Sequence, residues 1–251
     1  MRSTDIYRFN DSYDICDDEI CCYMADVVVA PEEITDIEQK TREPSRDLSL
    51  WKRMRALCIS ASSKAHSVLR SRKEPSVLAK SFLTERRFWS VETTYGTDLE
   101  NEAILAFCEL MSAEVQRCGL CIMLEQRWLC FTPDGLVRKG TEVSLLEVKC
   151  PHSCREKPII NVEEQVSNVP YLVFRDNELL LKKSHVYYTQ VQVSLYVLGL
   201  EKCFFFVYSR HQQVVEVVAD KDFLLTSIPR LEKFYFTHHL PAITKTLRAV
   251  R

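Results

Sequence analysis

The sequence predicts a mixed α/β fold of α+β type, with a central β-sheet flanked by helices, and three observations predict it. The elements run helix, helix, β-meander, helix, β-hairpin, helix, an order that calls for helices on the faces of one sheet. Residues 97–115 (TDLENEAILAFCELMSAEV) repeat apolar side chains at helical spacing. Residues 144–149, 202–208 (KCFFFVY) and 212–218 (QQVVEVV) are short apolar runs bounded by turn residues, as strands are.

Each element has its own signal. Residues 1–45 are acidic and irregular, carry Cys16, Cys21 and Cys22, and predict one short helix at 31–41 within an N-terminal extension; residues 46–251 form the ordered domain. ISASS (59–63) before KAHSVLR reads as a helix start, with Ser60 or Ser62 able to cap free N–H groups. Residues 76–87 predict a helix. In 97–115, Leu99, Ala103, Leu105, Ala106 and Leu110 are assigned to the apolar face. Strands follow at 119–124, 127–131, 134–138 and 144–149, with turns at Pro133-Asp134-Gly135 and Lys139-Gly140. Residues 151–180 read as an irregular connection. A helix at 185–199 precedes the hairpin 202–218, and a terminal helix at about 221–239 is followed by a shorter one after Pro241.

Composition narrows the function classes. Of 251 residues, 46% are hydrophobic and 27% charged, as in globular proteins. Only five glycines argue against a glycine-rich phosphate loop. No apolar run approaches the roughly 20 residues that span a bilayer, and MRSTDIYRFNDSYDIC lacks the apolar core of a secretory signal. The expectation is an intracellular protein, nuclear or cytoplasmic, not secreted and without a membrane partner, whose eleven cysteines are mostly reduced. Net charge is −2, but unevenly spread: residues 1–50 hold thirteen acidic and five basic side chains, and residues 51–90 hold ten basic and two acidic. The basic block, which includes Arg86 and Arg87, is either a phosphate-facing surface or a solvated helical face.

The chemistry concentrates in FTPDGLVRKGTEVSLLEVKCP (131–151). On a strand, Glu147 and Lys149 share one face and Val148 takes the other. Asp134 opens the neighbouring strand, and the turn at 138–141 brings it back beside Glu147. Two carboxylates at close range need a cation between them, and hard oxygen ligands suit Mg²⁺ or Mn²⁺. A lysine beside them can position water and offset phosphate charge, the requirements of metal-assisted phosphodiester hydrolysis. Glu100 and Glu102 lie early in the 97–115 helix; Tyr187, Gln190 and Gln192 are polar points on the 185–199 helix, with Tyr187 and Gln190 on one face. Taken alone, Asp…Glu-x-Lys also describes many strands with a surface ion pair, so both readings stand at this point.

The segments LWKRMRALCISASS (50–63), TYGTDLENEA (94–103), FTPDGLV (131–137), LLEVKCP (145–151) and YYTQVQ (187–192) occur in an order that resembles the viral-recombinase (YqaJ-like) exonuclease family. That family is typified by phage lambda exonuclease, within the PD-(D/E)XK nuclease superfamily. IEQKTREPSRDLSLWKRMR (37–55) resembles its eukaryotic, mobile-element-associated branch. The resemblance covers about residues 37–240 and implies a restriction-endonuclease-like central mixed sheet. It implies Asp134 and Glu147 as metal-binding carboxylates, the Val148 carbonyl as a further ligand and Glu100 as the supporting helix carboxylate, around one or two Mg²⁺ (or Mn²⁺) ions. It implies Lys149 as the residue that activates or positions water, and Gln190, with Tyr187 nearby, as the group that orients the catalytic set. Arg55 and Ser62 match the pair that holds the 5′-phosphate of a DNA end, a role that a guanidinium and a hydroxyl at a helix start suit. Ser60 stands where threonine is usual, and Thr132 where serine is common. Phage members form a ring-shaped trimer; a homo-oligomer is not derivable from these residues.

The implied activity is Mg²⁺-dependent hydrolysis of linear double-stranded DNA from its ends, 5′ to 3′, in recombination or repair. The alternatives are a transposon-derived or domesticated DNA-end-binding protein with little catalysis, and an endonuclease of the same superfamily. Cys118, Cys121, Cys130, Cys150 and Cys154 read as thiols rather than a metal cluster, and His238-His239 as a solvated pair. Phe204, Phe205 and Phe206 read as core strand, and Trp51 as packing under the Arg55 segment.

Overall fold

The computed structural model describes residues 13–84 and 91–249. Helices α1 (Asp17–Cys22) and α2 (Pro31–Lys40) flank a π-type turn at Tyr23–Val27. They lead into α3 (Leu48–Leu57), β1 (Ile59–Ser60), α4 (Ser63–Arg70), α5 (Pro75–Leu83) and the long α6 (Val91–Met111). The meander is β2 (Glu114–Gln116), β3 (Cys121–Ile122), β4 (Leu129–Phe131), β5 (Gly135–Lys139) and β6 (Glu142–Lys149). Two hairpins follow, β7 (Ile160–Asn161) with β8 (Val166–Ser167) and β9 (Leu172–Arg175) with β10 (Glu178–Leu181). The chain closes with α7 (Val186–Leu198), β11 (Lys202–Tyr208), β12 (Gln212–Val218), α8 (Lys221–Phe234), a π-type turn at Tyr235–His239 and α9 (Leu240–Arg248).

The central sheet has five strands in the order β12-β11-β6-β5-β2. Its pairs are antiparallel except β6 with β11, where Glu147 lies opposite Phe205. A parallel pair needs a crossover, and α7 supplies it. Gly199, whose φ is positive, takes the left-handed position that ends α7 and turns the chain into β11. A smaller sheet sets β1 parallel to β4, with β3 antiparallel on its other side.

Strand alternation divides the core. Leu146 and Val148 of β6, with Phe204 and Phe206 of β11, pack with Ala103, Ile104 and Phe107 of α6. Leu145, Cys203, Phe205 and Val207 face the other way into the larger core with α7 and the helical bundle. Burying each such phenylalanine stabilises the fold by about 1.5–3 kcal/mol. Glu147 and Lys149 take the α7 side by the same alternation.

Several expectations are corrected. Leu105 and Leu110 of α6 are 66% and 53% exposed. Two positions along a helix carry a side chain more than half a turn round it, so Leu105 points away from the face that Ala103 buries. The buried face is Ala103, Ile104 and Phe107. The helix stops at Met111, where Ser112 adopts a positive φ and Glu114–Gln116 leaves as an edge strand. The connection 151–180 holds two hairpins. His239 is fully buried and donates from Nε2 to the Ala56 carbonyl at 2.9 Å. Burial pushes that imidazole down to about 3. Ser62 is the first cap position of α4, but its side chain makes no capping bond. Arg86, Arg87, the end of the helix expected at 76–87, and residues 1–12 lie outside the described residues.

The acidic N-terminal segment contributes to the core. Tyr23 and Val27 have no exposed surface, and Ile37 is buried with them in the larger cluster. The C-terminal end of α2 is tied to the 118–120 segment: Gly119 N–H donates to Glu38 Oε1 (2.7 Å) and Leu120 N–H to Thr41 Oγ1 (2.7 Å). A Cβ on Gly119 would stand 1.9 Å from the Glu38 carbonyl oxygen, so only glycine permits this approach. Among the described residues no helix is long and apolar enough to cross a membrane.

Candidate active site

The β5–β6 hairpin register places Gly135 opposite Leu146, which brings Asp134 to the end of β6. There Asp134 Oδ2 accepts the Val148 N–H at 2.7 Å. Glu147 is 1% exposed; its Oε1 receives Lys149 Nζ at 2.5 Å and the amide Nε2 of Gln190 from α7. Its Oε2 is buried with no hydrogen-bond partner among the described residues. Lys149 Nζ also donates to the Val148 carbonyl (3.0 Å) and lies 4.9 Å from the centre of the Tyr187 ring. Asp134, Glu147, Lys149, Gln190 and Tyr187 are thus brought together as the sequence anticipates.

The electrostatics of this group are those of a carboxylate pair short of positive charge. Burial, and then the Glu147 charge, push the Asp134 carboxyl up to about 8. Burial raises Glu147 too, against the pull of Lys149. For Lys149, burial favours the neutral amine, but Glu147 and Asp134 outweigh it and hold the ammonium above its ordinary range. A buried carboxylate oxygen without a donor is expensive. The residues therefore fit a divalent cation: two carboxylates, one with an unpartnered buried oxygen, and a backbone carbonyl form a hard-oxygen set suited to Mg²⁺ or Mn²⁺.

Glu100 lines the same cavity as Asp134 and Gln190 and is held by an arginine. Its Oε1 pairs with Arg117 Nη1 at 2.6 Å, and the same nitrogen donates to the Asp134 carbonyl at 3.0 Å. Arg117 also reaches Asn101. No cluster of three or more His, Cys, Asp or Glu side chains is assembled for a metal among the described residues. Glu102 bonds Tyr208 (2.6 Å) at an exposed position, and Gln192 pins the end of β12 through Val218 and Asp220. Neither joins the site.

Arg55 and Ser62 meet at the junction of α3, β1 and α4. Arg55 Nη2 donates to Ser62 Oγ at 3.1 Å, and Ser60 Oγ lies 3.1 Å from Ser62 Oγ. No carboxylate pairs with Arg55 among the described residues. The N–H groups opening α4 are left without a side-chain cap, so a cation, hydroxyls and a helix start converge as in an anion receptor. Lys64, pushed down to about 8 by burial, donates to the Cys58 carbonyl (3.0 Å) and closes the end of α3.

Strand pairing connects the receptor to the carboxylates. Ile59 and Ala61 donate to the Trp128 and Cys130 carbonyls (2.7 and 3.0 Å), and β4 runs on through Thr132 and Pro133 to Asp134. Trp51 of α3 packs under the Arg55 guanidinium (4.5 Å) and donates its Nε1–H to Thr132 Oγ1 at 2.9 Å. One cavity of about 190 Å³ is lined by Arg46, Trp51, Arg55 and Ser62 together with Glu100, Arg117, Asp134 and Gln190. Arg46, Arg117 and Thr132 were given no role in the site from the sequence, although Arg46 and Thr132 lie within the motif segments.

The mixed five-stranded sheet thus carries an Asp and a Glu-x-Lys on adjacent strands, with a helical glutamine on the glutamate. A model of the YqaJ-like viral recombinase domain matches residues 50–201, more than half of the chain, and the chain belongs to that family. A search of curated proteins finds no match. Among solved structures, the alkaline exonuclease LHK-Exo from Laribacter hongkongensis is similar at TM-score 0.57 and 18% identity, over 80% of this chain and 97% of that one. A phage-related exonuclease from Haemophilus somnus 129PT gives TM-score 0.52 and 13% identity, over 78% and 97%. SOX in a complex with DNA gives 0.59 and 12%, over 87% and 74%. At these identities the likeness is one of fold.

Proposed function

We propose that this protein is a divalent-metal-dependent exonuclease that hydrolyses linear double-stranded DNA from its ends, 5′ to 3′, with Mg²⁺ as the working ion. The observation that carries the reading is the shared cavity: Arg55 and Ser62 line the same space as Glu100, Asp134 and Gln190. A terminal phosphate held by the first pair leaves the chain entering the carboxylate end, which sets a polarity for attack. Residues 46–251 supply this chemistry, and residues 13–45 brace it.

When bound, the cation would supply Lewis-acid polarisation of the phosphodiester and neutralise charge as it develops. Asp134 and Glu147 would hold it, with the Val148 carbonyl as a further ligand. Lys149 keeps its proton firmly, so it serves as a donor: it orients the attacking water and offsets negative charge at phosphorus. Gln190 fixes the Glu147 carboxylate by holding Oε1, which leaves Oε2 for the ion. Tyr187 supports the ammonium through its ring face.

The test is incubation of purified protein with Mg²⁺ and three substrates: 5′-phosphorylated linear duplex, 5′-hydroxyl linear duplex and covalently closed circle, beside Lys149→Ala. Degradation of linear DNA alone, fastest with 5′-phosphate and lost in Lys149→Ala, is the expected result. Cutting of the circle would identify an endonuclease, and no degradation of any substrate would leave only DNA binding.

A further inference from the structure

We propose that Arg46, which precedes the part of the chain matched to the family, is a second guanidinium of the terminal-phosphate receptor. On this proposal it recognises, together with Arg55, the doubly charged phosphomonoester of a 5′ end. The inference rests on the exonuclease reading above and extends its Arg55/Ser62 pair.

Both guanidiniums lie over one indole: Arg46 Cζ is 5.2 Å and Arg55 Cζ 4.5 Å from the centre of the Trp51 ring. Both line the cavity that also contains Ser62. Arg46 is oriented by its own neighbourhood, with Nε donating to the Thr41 carbonyl (3.3 Å) and Nη2 beside Glu43 (3.2 Å). Its Nη1 has no partner among the described residues, and Arg55 spends only Nη2, on Ser62. Two like charges beside one indole repel, and Glu43 offsets only one of them. An anion between them removes the repulsion and takes up the free N–H groups.

The hydrogen-bond donors of the space select the anion. A phosphomonoester carries about −1.5 to −2 at neutral pH, whereas a backbone phosphodiester carries a single charge. The monoester also presents three terminal oxygens to the free N–H groups of Arg46 and Arg55, where the diester presents two. The geometry also gives the N-terminal segment a role. Arg46 is placed by Thr41 and Glu43, and Thr41 is tied to Leu120 across the Gly119 contact.

Binding of fluorescein-labelled duplexes with 5′-phosphate or 5′-hydroxyl ends, measured by anisotropy in EDTA, isolates recognition from catalysis. The ratio of the two dissociation constants is read for wild type, Arg46→Ala, Arg46→Lys and Arg55→Ala, each checked for a native melting transition. Loss of a charged hydrogen-bonding partner should reduce the phosphate preference about tenfold or more in Arg46→Ala, with 5′-hydroxyl binding little changed and partial recovery in Arg46→Lys. A wild-type ratio in Arg46→Ala, with the preference lost in Arg55→Ala, would overturn the role of Arg46 and leave the exonuclease reading intact. No preference in wild type would overturn both this proposal and the Arg55/Ser62 assignment.

Discussion

Replacing Asp134 by asparagine should stabilise the metal-free protein while abolishing its activity. Asparagine Oδ1 can still accept the Val148 N–H, now 2.7 Å from Asp134 Oδ2, so the turn keeps its hydrogen bond and loses its charge. In the wild type the folded state holds a proton on Asp134 up to about pH 8, against an ordinary value of 3.8. As pH rises through that window the unfolded chain ionises and the folded one does not, so stability falls with pH and levels off above about 8. At about 1.4 kcal/mol per pH unit the ceiling is near ~6 kcal/mol. Sharing of the repulsion with Glu147, and relaxation at an effective dielectric nearer 20 than 4, bring the expected gain to about 2 kcal/mol. For a chain of this length that is a rise of roughly 4–8 °C in Tm. The assay is thermal unfolding in EDTA from pH 4.5 to 8.5, repeated with Mg²⁺ or Mn²⁺. Asp134→Asn should melt above wild type at pH 8, converge with it near pH 4.5, and lose the metal-induced rise that wild type shows. A variant that melts at or below wild type at pH 8, and still gains stability from the metal, would refute the reasoning.

Three other perturbations have defined outcomes. Lys149→Ala should reduce the nuclease rate about 10²–10³-fold, the usual contribution of one preorganised hydrogen-bond donor, while 5′-phosphate selectivity in metal-free binding is preserved. Gln190→Ala should lower metal affinity or activity by roughly 10–100-fold, because Glu147 Oε1 loses the donor that orients it; calorimetric Mn²⁺ titration separates the two. Gly119→Val forces a Cβ against the Glu38 carbonyl and breaks the two bonds that seat α2. A loss of about 3–4 kcal/mol is expected by chemical denaturation, with increased proteolysis within residues 13–45.

The legible parts of the molecule were those governed by local periodicity. β11 and β12 end where the apolar runs of 202–208 and 212–218 end. Glu147 and Lys149 fall on one face because the strand period is two. The pairing of Asp134 with that strand followed from a tight turn. Arg55 and Ser62 are seven residues apart, and only the motif resemblance linked them to phosphate. Contacts set by packing between distant elements were not legible. Arg117 reaches Glu100 across 17 residues, and Trp51 reaches Thr132 across 81. His239 looked solvated because the His238-His239 pair stands near a helix end, yet the π-type turn at Tyr235–His239 rotates it into the core. Leu105 and Leu110 show the converse: apolar side chains within an amphipathic helix, one step off its buried stripe.

The most direct measurement follows a blunt, 5′-phosphorylated duplex with distinct labels on its 5′-terminal and 3′-terminal nucleotides, in Mg²⁺ and after chelation. The account expects the 5′ label to leave first as a mononucleotide, the 3′ label to persist until the strand is nearly consumed, and both to remain when EDTA is present. Early release of the 3′ label, internal cutting that frees labelled oligonucleotides, or undiminished hydrolysis in EDTA would contradict it.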